Sequence, residues 1–232
     1  MLFHSNSSES HTEKANIVHN ESVSISMSSI TPSKKDTSPN TEFMEYQKRM
    51  IGPAIGLSSY ALCSFVLGLV NSKVLHLPYS VVGVAFTYGV IGQLAAGISE
   101  IFHQDVFNAV SFFTFSGFYI AYIVLYVPCF GVASTLQEAG HLDYGVGLLC
   151  IAYTLPAFIF FLSTFRQPYV VRLVMLFTTL ANLLAGIGAL SNIVYFTMTS
   201  GWCSVCGSMV AWYGVLSLIC NETNTNIKFP FL

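Results

Sequence analysis

The sequence predicts an all-α membrane protein with six transmembrane helices. Only 9% of the 232 residues are charged and 53% are hydrophobic, whereas about a quarter of the residues in a soluble domain are charged. Such a chain has too little polar surface to cover itself in water, so its solvent is mostly lipid. Six apolar segments are long enough for the roughly 20-residue helix that crosses a bilayer: 54–71, 80–102, 108–130, 144–164, 168–190 and 199–220.

Charge divides the chain into a polar tail and a membrane body. The first 50 residues hold five of the nine Lys and Arg residues and six of the eleven acidic residues. The tail is rich in Ser, Thr and Asn, with Pro32 and Pro39 expected to break any helix, and it buries too little apolar surface to offset its ordering entropy. We therefore predict a disordered Ser/Thr-rich cytoplasmic tail, a six-helix transmembrane domain and a short cytoplasmic C-terminal tail, at 1–46, 47–221 and 222–232.

The first span begins with an unusual stretch, "RMIGPAIGLSSYALCSF" at 49–65. Pro53 has no backbone N–H, and Gly52 and Gly56 allow close backbone approach. We expect this stretch to enter the membrane as non-helical chain that lines a cavity, where free N–H groups at a helix N-terminus would suit a small carboxylate. A plain helix break at the membrane surface is an equal alternative.

The later spans combine small residues with uncharged polar ones. The second span contains A95-A96-G97, which indicates a seam of close helix packing. It also carries Gln93 and, at its cytoplasmic end, Glu100. Polar side chains at membrane depth face the bundle interior or a water-filled path, so we expect a narrow polar route lined otherwise by aromatic residues. Further members of the predicted route and its walls are Tyr60, Tyr88, Thr114, Phe115, Ser116, Thr178, Thr179, Asn182 and Ser208.

The positions of the cations predict the orientation. Lys48 and Arg49 precede the first span, and Arg166 and Arg172 flank the connection between the fourth and fifth spans. Six spans place all of these on one side, with Lys73 on the other. Because Lys and Arg are enriched in cytoplasmic loops, we expect both termini in the cytoplasm.

The sequence offers little catalytic chemistry. Cys203 and Cys206 form a C-x-x-C inside the sixth span, but no second pair completes a zinc site, and buried apolar thiols are the simpler interpretation. No phosphate-binding loop, dinucleotide fingerprint or G-x-S-x-G motif occurs in the sequence. We therefore expect no enzyme activity, no metal and no cofactor.

Three stretches in order carry a resemblance to a known family. "IGPAIGLSSYALCSFVLGLVN" resembles an N-P-A-P-L-G-L signature followed by a first helix. "YGVIGQLAAGISE" (88–100) resembles Y-G-G-x-x-Q-x-x-A-G-x-x-E, and "FSGFYIAYIVLYVPCFGV" resembles S-Y-G-x-F-W followed by Y-x-P-x-F-G. Over 50–220 the chain is similar to the acetate uptake transporter family, which includes bacterial succinate–acetate permeases and yeast acetate and ammonia outward permeases.

The resemblance implies a fold and a function. Members are six-helix proteins of the plasma membrane that form ring-like homo-hexamers with one path per protomer. They carry small monocarboxylates, chiefly acetate and usually with a proton, and the yeast members are linked to ammonium export. By this resemblance the signature lies at the substrate entrance, a constriction follows in the first, third and fifth helices, and an acid, Glu100, closes the second helix. The corresponding residues are Gly52, Pro53, Ala54, Gly56, Leu57, Tyr60, Tyr88, Gln93, Glu100, Phe115, Thr178 and Ala211. Glu100 is a candidate proton or gating residue, and a structural pairing with Arg172 or a loop amide is the equal alternative.

The departures from the family pattern leave the substrate open. The signature Asn falls at Ile51, and the Tyr of S-Y-G has become Phe115. These losses remove polar contacts that are worth about 1.5–3 kcal/mol each to a charged group. A divergent fungal-type carrier of acetate, proton-coupled or channel-like, is the leading interpretation. An ammonia or ammonium exporter and a non-transporting sensor paralogue are the alternatives.

Overall fold

The computed structural model describes residues 39–75 and 79–220, and these fold into helices joined by short turns. Six helices are long and apolar enough to cross a membrane, so the prediction of six spans is confirmed. The helices are α1 (Pro39–Asn71), α2 (Ser80–Phe102), α3 (Val106–Tyr126), the short α4 (Val132–Glu138), α5 (Leu142–Ser163), α6 (Tyr169–Ser191) and α7 (Val194–Ile219).

Helix α1 is continuous through the glycine-proline stretch. Pro53 lies inside the helix, so the prediction of a non-helical entry is wrong, and so is the alternative of a helix break. A proline removes one intrahelical hydrogen bond and its fixed φ is helical, whereas broken chain in lipid leaves several backbone groups unpaired. The glycines serve packing instead. A Cβ at Gly52 would overlap the carboxyl group of Glu100, and one at Gly56 would overlap the Phe112 ring.

Helix α1 also begins earlier than the sequence predicts. Its first residue, Pro39, lies within the segment that we assigned to the polar tail. Proline is well tolerated at the first helical position, where its missing N–H would have no intrahelical acceptor. Residues 1–38 and 221–232 lie outside the described residues, so the disordered tails stay a prediction.

Helix α2 contains a π-helical segment, Ala85–Gly92. Such wide turns are rare and often occur at functional sites. Neighbouring helices contact carbonyl groups of this region: Cys63 Sγ lies 3.6 Å from the carbonyl oxygen of Val84, and Ser116 Oγ lies 3.4 Å from that of Val90. Just beyond the segment, Gly97 is buried against the Phe113 ring, as a seam of close packing requires.

Helices α1 and α7 cross in close contact. A Cβ on Gly201 would lie 2.7 Å from the carbonyl oxygen of Gly68, so the two backbones approach more closely than any side chain would allow. Small residues permit this approach in lipid, where van der Waals packing drives helix association. Further along the same interface, a buried apolar cluster joins α1, α6 and α7. Its members are Leu57, Tyr60, Ala61, Val174, Ala211 and Val215.

Candidate functional site

Two cavities enter the helix bundle from opposite ends. The lower cavity, of about 380 Å³, is lined by the part of α1 around Pro53, the end of α2 and the starts of α3 and α6. The upper cavity, of about 360 Å³, is lined by the ends of α1, α3 and α6 and the starts of α5 and α7. Because consecutive spans run in opposite directions, these two sets of helix ends lie on opposite sides of the bundle.

A constriction one helical turn thick separates the cavities. On each of three helices a residue lining the lower cavity is followed, three or four positions later, by one lining the upper cavity. All six side chains are buried, and one turn of α-helix rises only about 5.4 Å. The pairs are Leu57 and Tyr60 on α1, Phe112 and Phe115 on α3, and Val174 and Thr178 on α6.

A hydrogen bond between α1 and α6 closes the constriction. The Tyr60 hydroxyl and Thr178 Oγ1 are 2.8 Å apart, and Thr178 Oγ1 is 2.7 Å from the carbonyl oxygen of Val174. A threonine hydroxyl has one proton, and the carbonyl can only accept it. Thr178 therefore donates to Val174 and accepts the proton of Tyr60.

Further hydroxyl and amide groups line the floor of the upper cavity, which is the end next to the constriction. Ser64 lies beside the hydroxyls of both Tyr60 and Tyr119. The Asn182 side-chain amide donates to the carbonyl oxygen of Thr178 over 3.0 Å. The floor therefore offers several hydrogen-bonding groups to a small polar solute.

The lower cavity is richer in charge. Glu100 is 2% exposed, and within the described part of the chain its Oε1 has no hydrogen-bond partner. The carboxyl group lies close to the Asn108 side chain, and Arg49 and Asp105 are the charged groups that act on it. Asp105 caps α3, because its two carboxylate oxygens accept from the backbone and side-chain N–H groups of Asn108, each over 3.0 Å.

Arg172, near the start of α6, is engaged away from Glu100. Arg172 donates to the carbonyl oxygen of Phe165 over 2.6 Å and contacts that of Thr164 at 3.4 Å. Its guanidinium also lies over the rings of Phe165 and Tyr169. Arg172 therefore secures the connection between α5 and α6.

Most of the predicted path residues lie at the cavities or directly behind their walls. Tyr60, Phe115 and Thr178 meet at the constriction, and Pro53, Leu57 and Glu100 line the lower cavity. Two signature glycines pack on residues that line the lower cavity, Gly52 on Glu100 and Gly56 on Phe112. Ala54 is half-buried and lines neither cavity, and Ala211 on α7 packs in the cluster with Tyr60.

Other predicted residues lie away from both cavities. Gln93 is buried, and its Oε1 has no hydrogen-bond partner among the described residues. Ser208 is buried and donates to the carbonyl oxygen of Val205 on its own helix, over 2.8 Å. Tyr88 is 45% exposed, and Ile51, at the position of the signature Asn, is 54% exposed. The structure therefore does not bring Gln93 or Ser208 together with Thr178 in one lumen.

Sequence reasoning missed Tyr119 and Val174, and it noted Ser64 as a polar residue of the first span without placing it on the path. Ser64 and Tyr119 lie four residues after a predicted constriction residue on the same helix, and Val174 lies four residues before one. Residues four apart share a helix face. Helical periodicity, applied outward from Tyr60, Phe115 and Thr178, would have found all three.

The fold and these cavities define a class: a six-helix membrane protein whose single chain contains two opposed cavities and a closed constriction between them. Residues 36–232 match the sequence model of the GPR1/FUN34/yaaH family. The chain belongs to this family, and the resemblance seen in its sequence is confirmed.

Known proteins similar to this chain include two fungal ones with transport in their names. It is 31% identical over 183 residues to ammonia transport outward protein 2 of Saccharomyces cerevisiae, covering 76% of this chain and 64% of that protein. It is 27% identical over 197 residues to acetate permease A of Emericella nidulans, covering 79% of this chain and 66% of that protein. The chain thus spans less than two thirds of the length of either relative.

One solved structure has the same fold. The bacterial acetate channel SatP superposes with a TM-score of 0.67 at 18% sequence identity, and the match covers 78% of this chain and 97% of that one. At this identity the likeness shows the fold alone. It supports the six-helix architecture independently of the hydropathy of the spans.

Proposed function

We propose that this chain is a membrane transporter that passes acetate and similar small monocarboxylates through a path within each subunit. The observation that carries the proposal is the pair of opposed cavities that a single turn of helix separates at Tyr60, Phe115 and Thr178. The names of acetate permease A and of the acetate channel SatP support the choice of solute.

The walls of the path suit a small carboxylate. Each cavity holds several water-sized volumes of about 30 Å³, which is room for acetate and part of its hydration shell. At the constriction, the hydroxyls of Tyr60 and Thr178 can exchange their mutual hydrogen bond for bonds to the solute, and a bond to a charged group is worth about 1.5–3 kcal/mol. Lys73 and Asp143 both line the upper cavity, so an anion meets one cation and one acid there.

The proposal extends to orientation and assembly. Arg49 lines the lower cavity, and Arg166 ends the turn between α5 and α6 on the same side, whereas Lys73 lines the upper cavity. By the positive-inside rule the lower cavity faces the cytoplasm, with both tails, in the plasma membrane. We include a ring-like homo-hexamer, as the family resemblance implies.

Export of ammonia or ammonium is the second candidate. Two acidic residues, Glu100 and Asp105, line the lower cavity, and they suit a cation better than an anion. The similarity to ammonia transport outward protein 2 points the same way. A non-transporting sensor is the third candidate, because Ile51 and Phe115 lack the polar groups of the family signature.

A flux measurement in liposomes tests the transport proposals. Purified protein is reconstituted, and uptake of labelled acetate is compared with uptake by empty liposomes. Ammonium movement is followed in parallel with an internal pH dye. The blocking variant is Ala181→Trp, because Ala181 is buried in the wall of the upper cavity. Leu180→Trp is its matched control, because the neighbouring Leu180 is 37% exposed and lines neither cavity.

We expect the wild-type protein to take up more acetate than empty liposomes do. Ala181→Trp should lower this uptake at least roughly tenfold, because the indole fills the path as an added side chain overfills a packed core. Leu180→Trp should retain the wild-type uptake. Ammonium flux without acetate flux would replace the first proposal by the second. An absence of both fluxes in well-folded protein would favour the sensor. Equal loss in both Trp variants would contradict a path through the upper cavity.

A further inference from the structure

The lower cavity presents an obstacle to the solute that we propose. Glu100 and Asp105 both line it, and a carboxylate passing through would meet two further carboxyl groups. Like charges within a few ångströms of one another repel strongly, and the repulsion is larger in a low-dielectric wall than in water. A path for carboxylates needs a means of removing one of these charges.

The two carboxyl groups differ in their surroundings. Asp105 is fully engaged, because each of its oxygens accepts an N–H group of Asn108 at the start of α3. Glu100 is more deeply buried, at 2% exposure, and its Oε1 has no hydrogen-bond partner among the residues that the structure describes. An ionised carboxylate needs hydrogen bonds at both oxygens when it is buried. Glu100 is therefore the group whose charge the site stabilises less.

The groups that face Glu100 come from three places. Arg49 reaches it from α1, and Asn108 from α3. Asp105 and His103 follow it in the turn between α2 and α3 and line the same cavity. The residues that α6 and α7 contribute to the cavity are uncharged: Val171, Val174, Met175 and Leu218.

We propose that Glu100 is a proton-operated gate: a carboxylate solute enters the lower cavity only while the Glu100 side chain is protonated. The inference rests on the proposed transport of monocarboxylates. Ionised, Glu100 repels the solute. Once Glu100 accepts a proton from the water of the cavity, its O–H group can donate to the solute carboxylate, and it returns that proton to water after the solute has left. The only bond made and broken is the O–H bond of Glu100.

Gly52 fixes the position of this gate. A Cβ at residue 52 would overlap Oε1 of Glu100, so the glycine leaves the notch on α1 that the carboxyl group occupies. The signature stretch of α1 and the acid near the end of α2 thus form one site. Helix α1 supplies the notch and Arg49, and helix α2 supplies the carboxyl group that carries the proton.

Equilibrium exchange of labelled acetate across liposomes tests the gate, with the same pH on both sides and empty liposomes subtracted. Wild-type exchange should fall as the pH rises, by about tenfold per pH unit once Glu100 is mostly ionised, because one proton controls entry. Glu100→Gln imitates the protonated group. We expect the acetate exchange rate of this variant to change less than about twofold from acid to neutral pH, because it has no titrating group at this position. At neutral pH its rate should exceed that of the wild type.

Two controls separate a gate from a structural role. Glu100→Asp keeps a carboxyl group and should keep a falling pH profile. Glu138→Gln removes an exposed acid of α4 that lines neither cavity and should leave the wild-type profile unchanged. If wild type exchanges acetate but Glu100→Gln keeps the wild-type profile or is inactive at every pH, the gate is refuted and the transport proposal stands. If wild type exchanges no acetate at any pH, both fail.

Discussion

At the scale of single residues, the constriction shows how two polar side chains from different helices can be buried against each other. The buried Tyr60 hydroxyl donates to Thr178, which itself donates to the carbonyl oxygen of Val174, and a buried polar group without a partner costs about 1–3 kcal/mol. The bond between the two hydroxyls joins α1 and α6, at 2.8 Å.

This pairing predicts non-additive stability. Tyr60→Phe and Thr178→Val should each lower the melting temperature in detergent, because each removes a bond worth about 0.5–1.5 kcal/mol. The double variant should lose less than the sum, because the two single changes remove the same bond. Tyr88→Phe is the control, since Tyr88 is 45% exposed and should melt like wild type. Strictly additive losses would show that the two hydroxyls do not interact.

At the scale of helices, α1 shows why the sequence predicted the span but not its start. Pro53 with Gly52 and Gly56 is the usual pattern of a helix break, and the expectation of irregular chain followed from it. The environment decides otherwise. A continuous helix in lipid loses one hydrogen bond at Pro53, and the glycines allow Glu100 and Phe112 to pack against it. Neither contact partner can be deduced from the local sequence.

The crossing of α1 and α7 gives a prediction at this scale. Gly201→Ala should lower the melting temperature clearly, by the equivalent of about 1–3 kcal/mol for overpacking, because the new Cβ would meet backbone atoms of Gly68, Asn71 and Ser72. Backbone cannot move aside as the end of a long side chain can, so the helices must separate.

Gly83→Ala is the matched control for this crossing. A Cβ on Gly83 meets nothing within 4 Å, and alanine favours helix over glycine by about 1 kcal/mol. Its melting temperature should stay level or rise. If Gly201→Ala also melts at or above the wild-type temperature, the close crossing of α1 and α7 is wrong.

At the scale of the whole molecule, the number of spans follows from hydropathy, while the site depends on pairings that hydropathy does not contain. Tyr60 and Thr178 are 118 positions apart. Periodicity shows which face of each helix is polar, yet not which helix that face meets. For the same reason Gln93 and Thr178, both polar and at membrane depth, were predicted to share a lumen. In the structure Gln93 lies outside both cavities.

The opposed cavities and the proposed orientation make a joint prediction about access. Val194 lines the upper cavity and is 54% exposed, and the exposed Gln167 lines the lower one. In a variant whose six native cysteines are replaced, Val194→Cys should react with a membrane-impermeant thiol reagent on intact cells. Gln167→Cys should react only after the cells are opened, because the constriction and the bilayer lie between it and the outside.

Each other labelling pattern contradicts a different part of the structure or its orientation. The reverse pattern would invert the protein in the membrane and place the gate at Glu100 on the outer side, where acidity of the medium would act on it directly. Labelling of both cysteines from outside would mean that the constriction is open to a reagent larger than acetate, which the bond between Tyr60 and Thr178 excludes. Acetate added before the reagent should slow labelling of Gln167→Cys in opened cells at acid pH, because protonated Glu100 then admits the solute to the same cavity.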